Sequence, residues 1–402
     1  VMYEEQPEES APIFPSQSGR ASLPQASAHQ LEEAAALLAG ANFPVIFAGS
    51  GIDRSGANAE LIALAELINC PVIPSMAGRS VIAHDHPLCF MSQSPVADML
   101  RRESDVMLVA GSRVGNLDVP YDKYWGDPGQ CKVIQIDVDP RNIAASRPVA
   151  LGIVADAKTA LGGLGNTLQA HNVSGQSPET IASLRAQHDE WIRSLQAPVA
   201  AWDGHGIHPG QACAAVGAVF GTEAVYCIDG GMTSLWASLA LPSTRPSSFH
   251  GILELGMLGV GIPAAIGAKL GAPARDVVCV TGDGAAGFNA MELQVAAREG
   301  LNITVVVMAE GEWSMEIPNE MANWGTTFNT AMGEVRWDKL GEGLGCHGEF
   351  VGARDELPDA LLRAQAHEGP SLVQVSTSKE ANLSVPDSVV GRFFEVYFGP
   401  SS

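Results

Sequence analysis

The chain has 402 residues, 46% hydrophobic and 17% charged, which is enough apolar material for two domains with full cores. A formal net charge of −22 without any cluster of Lys and Arg excludes nucleic acid as a partner, because phosphate backbones would be repelled. No apolar run reaches the length of a membrane span and the N-terminus lacks a charged-then-apolar leader, so a cytoplasmic protein with no membrane partner is expected.

Val1-Met2-Tyr3 and the Pro/Ser-rich run after it, through residue 26, read as the end of one element followed by a linker. Residues 27–164 read as an α/β domain. Helix His29–Ala39, strand Pro44–Ala48, the turn Gly49-Ser50-Gly51 and helix Ala57–Ile68 lead it, and strands follow at Pro71–Ile73, Val106–Val109, Lys132–Asp137 and Gly152–Val154. Such alternation predicts a parallel sheet covered by helices on both faces. The Gly49-Ser50-Gly51 turn can offer backbone N–H groups to a phosphate, although the full GxGxxG is missing and Asp53 disfavours an anion. Gly111-Ser112-Arg113 and Asp137-Val138-Asp139 lie at strand ends where a nucleotide would sit. The seven cysteines (70, 89, 131, 213, 227, 279 and 346) are scattered without a CxxC pair, the pattern of buried hydrophobes in a reducing compartment.

Residues 165–207 read as a polar interdomain linker with an amphipathic helix near Glu179–Gln196, and residues 208–383 as a second α/β domain. Helix Pro209–Phe220 and strand Ala224–Ile228 lead into Asp229-Gly230-Gly231-Met232-Thr233, a glycine turn opening a helix, which is either a tight βα loop or a diphosphate cradle. His250–Gly271, rich in Gly and Ala, reads for most of its length as a close-packed core helix. The stretch Val277–Met315 then holds two apolar β-branched strands, Val277–Val280 and Ile303–Met308. Between them lies a helix with an expected capping box at Asn289 and Glu292 and a stop at Gly300. The first strand enters Thr281-Gly282-Asp283-Gly284, alone a common turn, yet one that leaves a single carboxylate projecting for a metal on a phosphate. A second polar cluster, Glu310-Gly311-Glu312-Trp313, begins 27 residues after Asp283, and in a parallel βαβ unit both loops open at the same sheet edge. Pro370–Val375 reads as a last strand. Residues 384–402, with Phe393, Phe394, Tyr397 and Phe398, form a tail that can fold over the site or pack on a neighbour.

On these motifs the chain resembles the thiamine diphosphate enzymes that include acetolactate synthase, oxalyl-CoA decarboxylase and 2-hydroxyacyl-CoA lyase. Their cofactor motif starts with Gly-Asp-Gly and closes with an Asn pair at this distance, and the intervening AMELQVAAREGLNI is similar in style. The chain departs from them at Ala309-Glu310, where the family has the Asn pair. The resemblance implies two doubly wound parallel-sheet domains, a central domain that in the family holds FAD or ADP or serves only as structure, and a domain binding thiamine diphosphate and Mg2+.

In that frame Gly231, Met232 and Thr233 face the diphosphate together with Gly282, Asp283, Gly284 and Ala285. The Gly256 carbonyl takes the aminopyrimidine amino group, Met257 lies beside it, and Leu258 holds the cofactor bent. Trp313, Ser314 and Met315 complete the cofactor wall, and Met315, Glu316 and Trp324 are candidates to line the substrate region. Six oxygens around Mg2+ come from Asp283, the Glu310 side chain, the Glu312 carbonyl, two diphosphate oxygens and a water. A carboxylate at 310 adds charge beside the diphosphate, so Glu310 ligates with compensation, points away with water in its place, or marks a degenerate site.

The family's proton-relay Glu resides on a pyrimidine-binding domain that this chain appears to lack, so a partner polypeptide and a homo- or hetero-oligomer, a dimer of active-site pairs or a tetramer, are expected. The leading expectation is a decarboxylase/carboligase acting on a small-molecule 2-oxo acid, as the large part of a split or cleaved enzyme. The rivals are an acyl-CoA lyase or decarboxylase of the same family, and a non-catalytic cofactor-binding or regulatory subunit.

Overall fold

A computed structural model describes residues 22–171, 173, 175–251, 256–385, 389–391 and 395. Most of the expected N-terminal linker and the tail residues Phe393, Phe394, Tyr397 and Phe398 lie outside them.

Among the described residues the strands are β1 (Pro44–Ala48), β2 (Val72–Pro74), β3 (Val106–Ala110), β4 (Lys132–Asp137), β5 (Leu151–Val154), β6 (Val225–Asp229), β7 (Phe249–Gly251), β8 (Val277–Gly282), β9 (Thr304–Ala309), β10 (His347–Val351) and β11 (Ser371–Ser376). They form two sheets, β2-β1-β3-β4-β5 and β10-β11-β9-β8-β6-β7. Every pairing between these strands is parallel. Central strands of a parallel sheet are covered on both faces and read as unbroken apolar runs, which is why PVIFA, VMLVA and VVCVT are buried throughout. On the second sheet, Val278, Val280 and Val306 pack into one core, while Val277, Cys279 and Val305 pack into another on the opposite face. The chain thus forms two doubly wound α/β layers, as its alternation predicts.

Three local expectations are corrected. The helix after β8 starts on the glycine turn itself, as Asp283–Asn289, gives way to a single 3-10 turn at Ala290–Glu292 and resumes as Leu293–Arg298. Asn289 forms no capping box, because its side-chain amide instead donates to the Gly259 carbonyl at 2.7 Å and tethers the neighbouring loop. The Gly/Ala-rich stretch is helical only over Gly261–Gly271, since β7 and the loop carrying Gly256–Gly259 occupy its first half. The edge strand β10, HGEFV, carries no apolar run because most of it stays partly exposed.

In the first sheet the glycine turn meets Gly111 backbone to backbone. A Cβ on Gly49 would sit 2.2 Å from the Gly111 carbonyl oxygen, and one on Gly51 would sit 2.7 Å from the Gly111 Cα. Close packing between neighbouring strand ends therefore accounts for these glycines. The strand-end carboxylates close local turns, Asp137 accepting from the Asp139 N–H at 2.8 Å and Asp139 pairing with Arg141. Among the described residues no helix is long and apolar enough to cross a membrane. The seven cysteines are free thiols, and all but the partly exposed Cys131 are buried.

Candidate active site

The order of the second sheet creates the site. From β6 the chain steps outward to β7, then crosses back to β8 and continues to β9, so the crevice between β6 and β8 is the point where the winding reverses. Loops leaving adjacent strands diverge at such a point and leave a cleft at the carboxyl edge. Register brings the motifs level, with Asp229 beside Thr281 and Gly282 beside Met308.

The cleft is a cavity of about 120 Å³. Its wall contains Gly231, Met232 and Thr233 after β6, and Gly256, Met257 and Leu258 from the loop before the next helix. Gly282, Asp283, Gly284 and Ala285 lie after β8. Glu310, Glu312, Trp313, Ser314 and Met315 lie after β9. Four segments spread over residues 231–315 thus converge on one space. Glu316 also lines it, whereas Trp324 is 60% exposed and stacks edge-on against Phe328 outside the cavity.

The backbone is held in this shape by two buried carboxylates. Asp229 accepts from the Gly230 N–H at 2.7 Å and the Gly261 N–H at 2.8 Å, joining the loop after β6 to the helix Gly261–Gly271. Asp283 accepts from Gly284 N–H at 2.8 Å, and from Glu310 and Gly311 N–H at 3.0 and 2.6 Å, joining the two halves of the motif. Burial raises both carboxyls, and the backbone donors oppose that rise. The glycines make room. A Cβ on Gly284 would lie 2.4 Å from the Trp313 ring, and one on Gly231 would lie 2.6 Å from the Met315 Cβ. Gly284→Ala is therefore expected to push the rigid indole aside and lower stability by about 1–3 kcal/mol, read as a lower melting temperature and a shifted tryptophan emission. Unchanged melting and emission would refute this contact.

Glu310 is partly buried beside Asp283. Its Oε1 accepts from the Ser314 hydroxyl and from the Asn382 amide at 2.5 Å, and its Oε2 is buried with no hydrogen-bond partner. Burial first, then the charges of Asp283 and Glu312, push its carboxyl up to about 7, against the pull of Ser314 and Asn382. Glu312 pairs through one oxygen with the Lys379 ammonium at 2.5 Å, and its other oxygen is buried and unpartnered. Lys379 thus supplies a compensating positive charge.

Among the described residues, no three His, Cys, Asp or Glu side chains converge to hold a metal unaided. The donors present are the carboxylates of Asp283, Glu310 and Glu312, the two glutamates each with an orphaned oxygen. This set fits a cation that takes its remaining oxygens from a bound phosphate and water.

Sequence reasoning missed Asn382, Lys379 and Leu117. Asn382 follows β11, and its side-chain Oδ1 accepts from the Trp236 indole at 3.0 Å while its Nδ2 donates to Glu310. Its place in the short helix Lys379–Asn382 that follows a strand's carboxyl end was the available signal. Leu117 comes from the first domain and lines the same cavity, and no local pattern marks it.

Residues 31–164 match the family described as "Thiamine pyrophosphate enzyme, central domain", and residues 229–375 match "Thiamine pyrophosphate enzyme, C-terminal TPP binding domain". The chain is 28% identical over 377 residues to the probable acetolactate synthase large subunit of Methanococcus aeolicus, covering 89% of this chain and 61% of that protein. It is 31% identical over 360 residues to an acetolactate synthase large subunit of Mycobacterium tuberculosis, covering 88% and 63%. With the sulfoacetaldehyde acetyltransferase of Rhodobacter capsulatus it shares 30% identity over 378 residues, covering 86% and 62%. The chain spans about three fifths of the length of these relatives. With both domains matched and the four segments gathered at one sheet edge, the chain belongs to the thiamine pyrophosphate enzyme family.

Proposed function

We propose that this chain binds thiamine diphosphate with Mg2+ and forms the diphosphate-binding part of a decarboxylase/carboligase acting on 2-oxo acids, similar to acetolactate synthase. The observation that carries the proposal is the convergence of the segments after β6 and β8 and of those containing Gly256–Leu258 and Glu310–Met315 on one cavity, where a buried carboxylate oxygen of Glu310 has no partner. Asp283, Glu310 and the Glu312 backbone carbonyl would hold the metal, with the diphosphate at Gly231–Thr233 and Gly282–Ala285. Gly256, Met257 and Leu258 would hold the aminopyrimidine half, with Trp313, Ser314 and Met315 closing the other side.

When bound, the cofactor would supply a nucleophilic carbon for a carbonyl and a cationic ring to serve as the electron sink in decarboxylation. The chain's own contribution is to fix that group and keep it dry. Met232, Trp313 and Met315 give apolar walls, Asp229 and Asp283 hold the loops in place through their backbone N–H groups, and Lys379 offsets carboxylate charge. A proton-relay carboxylate on a pyrimidine-binding domain would complete the site, as the family resemblance implies. Unpaired thiols throughout favour a reducing, cytoplasmic setting.

The relatives named sulfoacetaldehyde acetyltransferase favour a second reading, transfer of an acetyl unit to a different acceptor. Calorimetric titration with thiamine diphosphate and Mg2+, with and without a polypeptide supplying the pyrimidine domain, tests the binding. Saturable, metal-dependent heat is expected, and none in either case sinks both enzymatic readings and leaves the non-catalytic subunit. Product analysis of the complete assembly with 2-oxo acids and alternative acceptors separates the two chemistries.

A further inference from the structure

A second cavity, of about 430 Å³, lies between the domains. One wall is the first-domain loop after β2, with Arg79, His84 and Cys89, and another is the linker helix Pro178–Ala201, with Arg185, His188 and Ile192. The second domain closes it with the helix Pro209–Phe220 and the C-terminal end of the helix Met232–Ala240. It shares no lining residue with the cofactor cavity, which takes up the opposite end of that last helix.

Arg79 is the anomaly. It is 6% exposed, forms no hydrogen bond or ion pair among the described residues, and its buried Nε has no partner. Its guanidinium carbon lies 5.5 Å from the centre of the Phe249 ring. A cation–π contact does not replace a carboxylate for a buried charge. Desolvation lowers the Arg79 pKa to about 10, still charged at neutrality. The thiol beside it, Cys89, is raised by burial to about 11 and stays neutral.

The other basic groups leave donors in the same space. His188 accepts from the Met91 N–H through Nε2 at 3.1 Å, so the neutral ring carries its proton on Nδ1, which is buried without an acceptor. The facing carboxylate, Asp189, is engaged by Arg185 Nε at 2.9 Å and lies 3.6 Å from His188 Nδ1, beyond a hydrogen bond. Arg185 also donates to the carbonyls of His84, His86 and Cys89, so its charge and hydrogen bonds are met within the protein. One buried positive charge without a counter-ion and one N–H without a hydrogen bond therefore face a space lined on its apolar side by Ile192, Leu239 and Leu241 and on its polar side by Asp189, Gln196 and Thr222.

We infer that this interdomain cavity is a binding site for an organic carboxylate, its oxyanion against Arg79 and His188 and its hydrocarbon body against Ile192, Leu239 and Leu241. The volume exceeds what an inorganic anion fills, and the apolar side gives the hydrocarbon a place to leave water.

The test titrates the full chain with hexanoate, inorganic phosphate and the neutral 1-hexanol, by calorimetry and by melting temperature. Hexanoate is expected to bind and raise the melting temperature, with hexanol and phosphate at least tenfold weaker. Arg79→Met should weaken hexanoate by about 30-fold or more, as expected on removing one member of a buried charge pair, and leave thiamine diphosphate binding unchanged. Should that variant fail to fold, His188→Phe keeps the charge, removes the second donor and should weaken hexanoate severalfold. Absence of hexanoate binding, equal binding of hexanol, binding of phosphate alone, or unchanged affinity in whichever of these variants folds would overturn the assignment.

Discussion

Asp283→Ala is expected to abolish metal-dependent thiamine diphosphate binding, a loss well beyond the roughly 100-fold that follows when only an outer partner of a metal ligand is removed. Two effects combine in this residue. Its carboxylate is the proposed metal ligand, and the same two oxygens hold the N–H groups of Gly284, Glu310 and Gly311. Hydrogen bonds to a charged acceptor contribute about 1.5–3 kcal/mol each, but here the raised carboxyl shows that burial takes back part of that gain. The fold should therefore survive with a modest drop in melting temperature while binding is lost. Asp283→Asn separates the effects, since it keeps an acceptor for the loops and removes the charge. Calorimetric titration with Mg2+ checks both variants, and wild-type affinity in Asp283→Ala would remove this residue from the site.

The second large effect is a pH dependence governed by Glu310. In the metal-free protein its carboxyl is pushed up to about 7, so at pH 6 it is mostly protonated and a cation must displace that proton to use the oxygen. Apparent Mg2+-dependent affinity is expected to rise close to tenfold per pH unit between about pH 5.5 and 7 and to level off above. Glu310→Gln should flatten that profile. Stability of the metal-free protein runs the other way. A carboxyl raised from 4.5 in the unfolded chain to about 7 contributes stability that is present below 4.5 and lost as pH rises through 7. The full span is on the order of 3 kcal/mol. Melting curves at pH 5 and 8 for the wild type and Glu310→Gln read it directly, the slope shrinking in the variant. A flat wild-type binding profile would show that the Glu310 oxygen stays out of the metal's coordination.

The glycine turn at Gly282–Gly284, alone a common turn, read as a site fragment because a second polar cluster at Glu310 follows it at the spacing of a parallel βαβ unit. Asn289 misled for an equally physical reason. The Asn-x-x-Glu spacing matches a helix start, yet the loop at Gly259 competes for the same amide and wins. The turn Gly49-Ser50-Gly51 carries glycines that a phosphate or a close backbone contact would equally require, and the contact with Gly111 satisfies them.

Apolar runs, strand–helix alternation and the two motifs at Asp283 and Glu310 by themselves determined the fold class and the ends of the strands where the site lies, because periodicity and glycine placement are local properties. Tertiary structure alone decided the rest. The strand order sets the reversal between β6 and β8, and long-range contacts bring Asn382 and Lys379 to the two glutamates. Burial decides the state of Glu310, and the meeting of two domains leaves Arg79 without a counter-charge. Desolvation and pairing depend on which distant segments arrive, and no window of sequence contains that information.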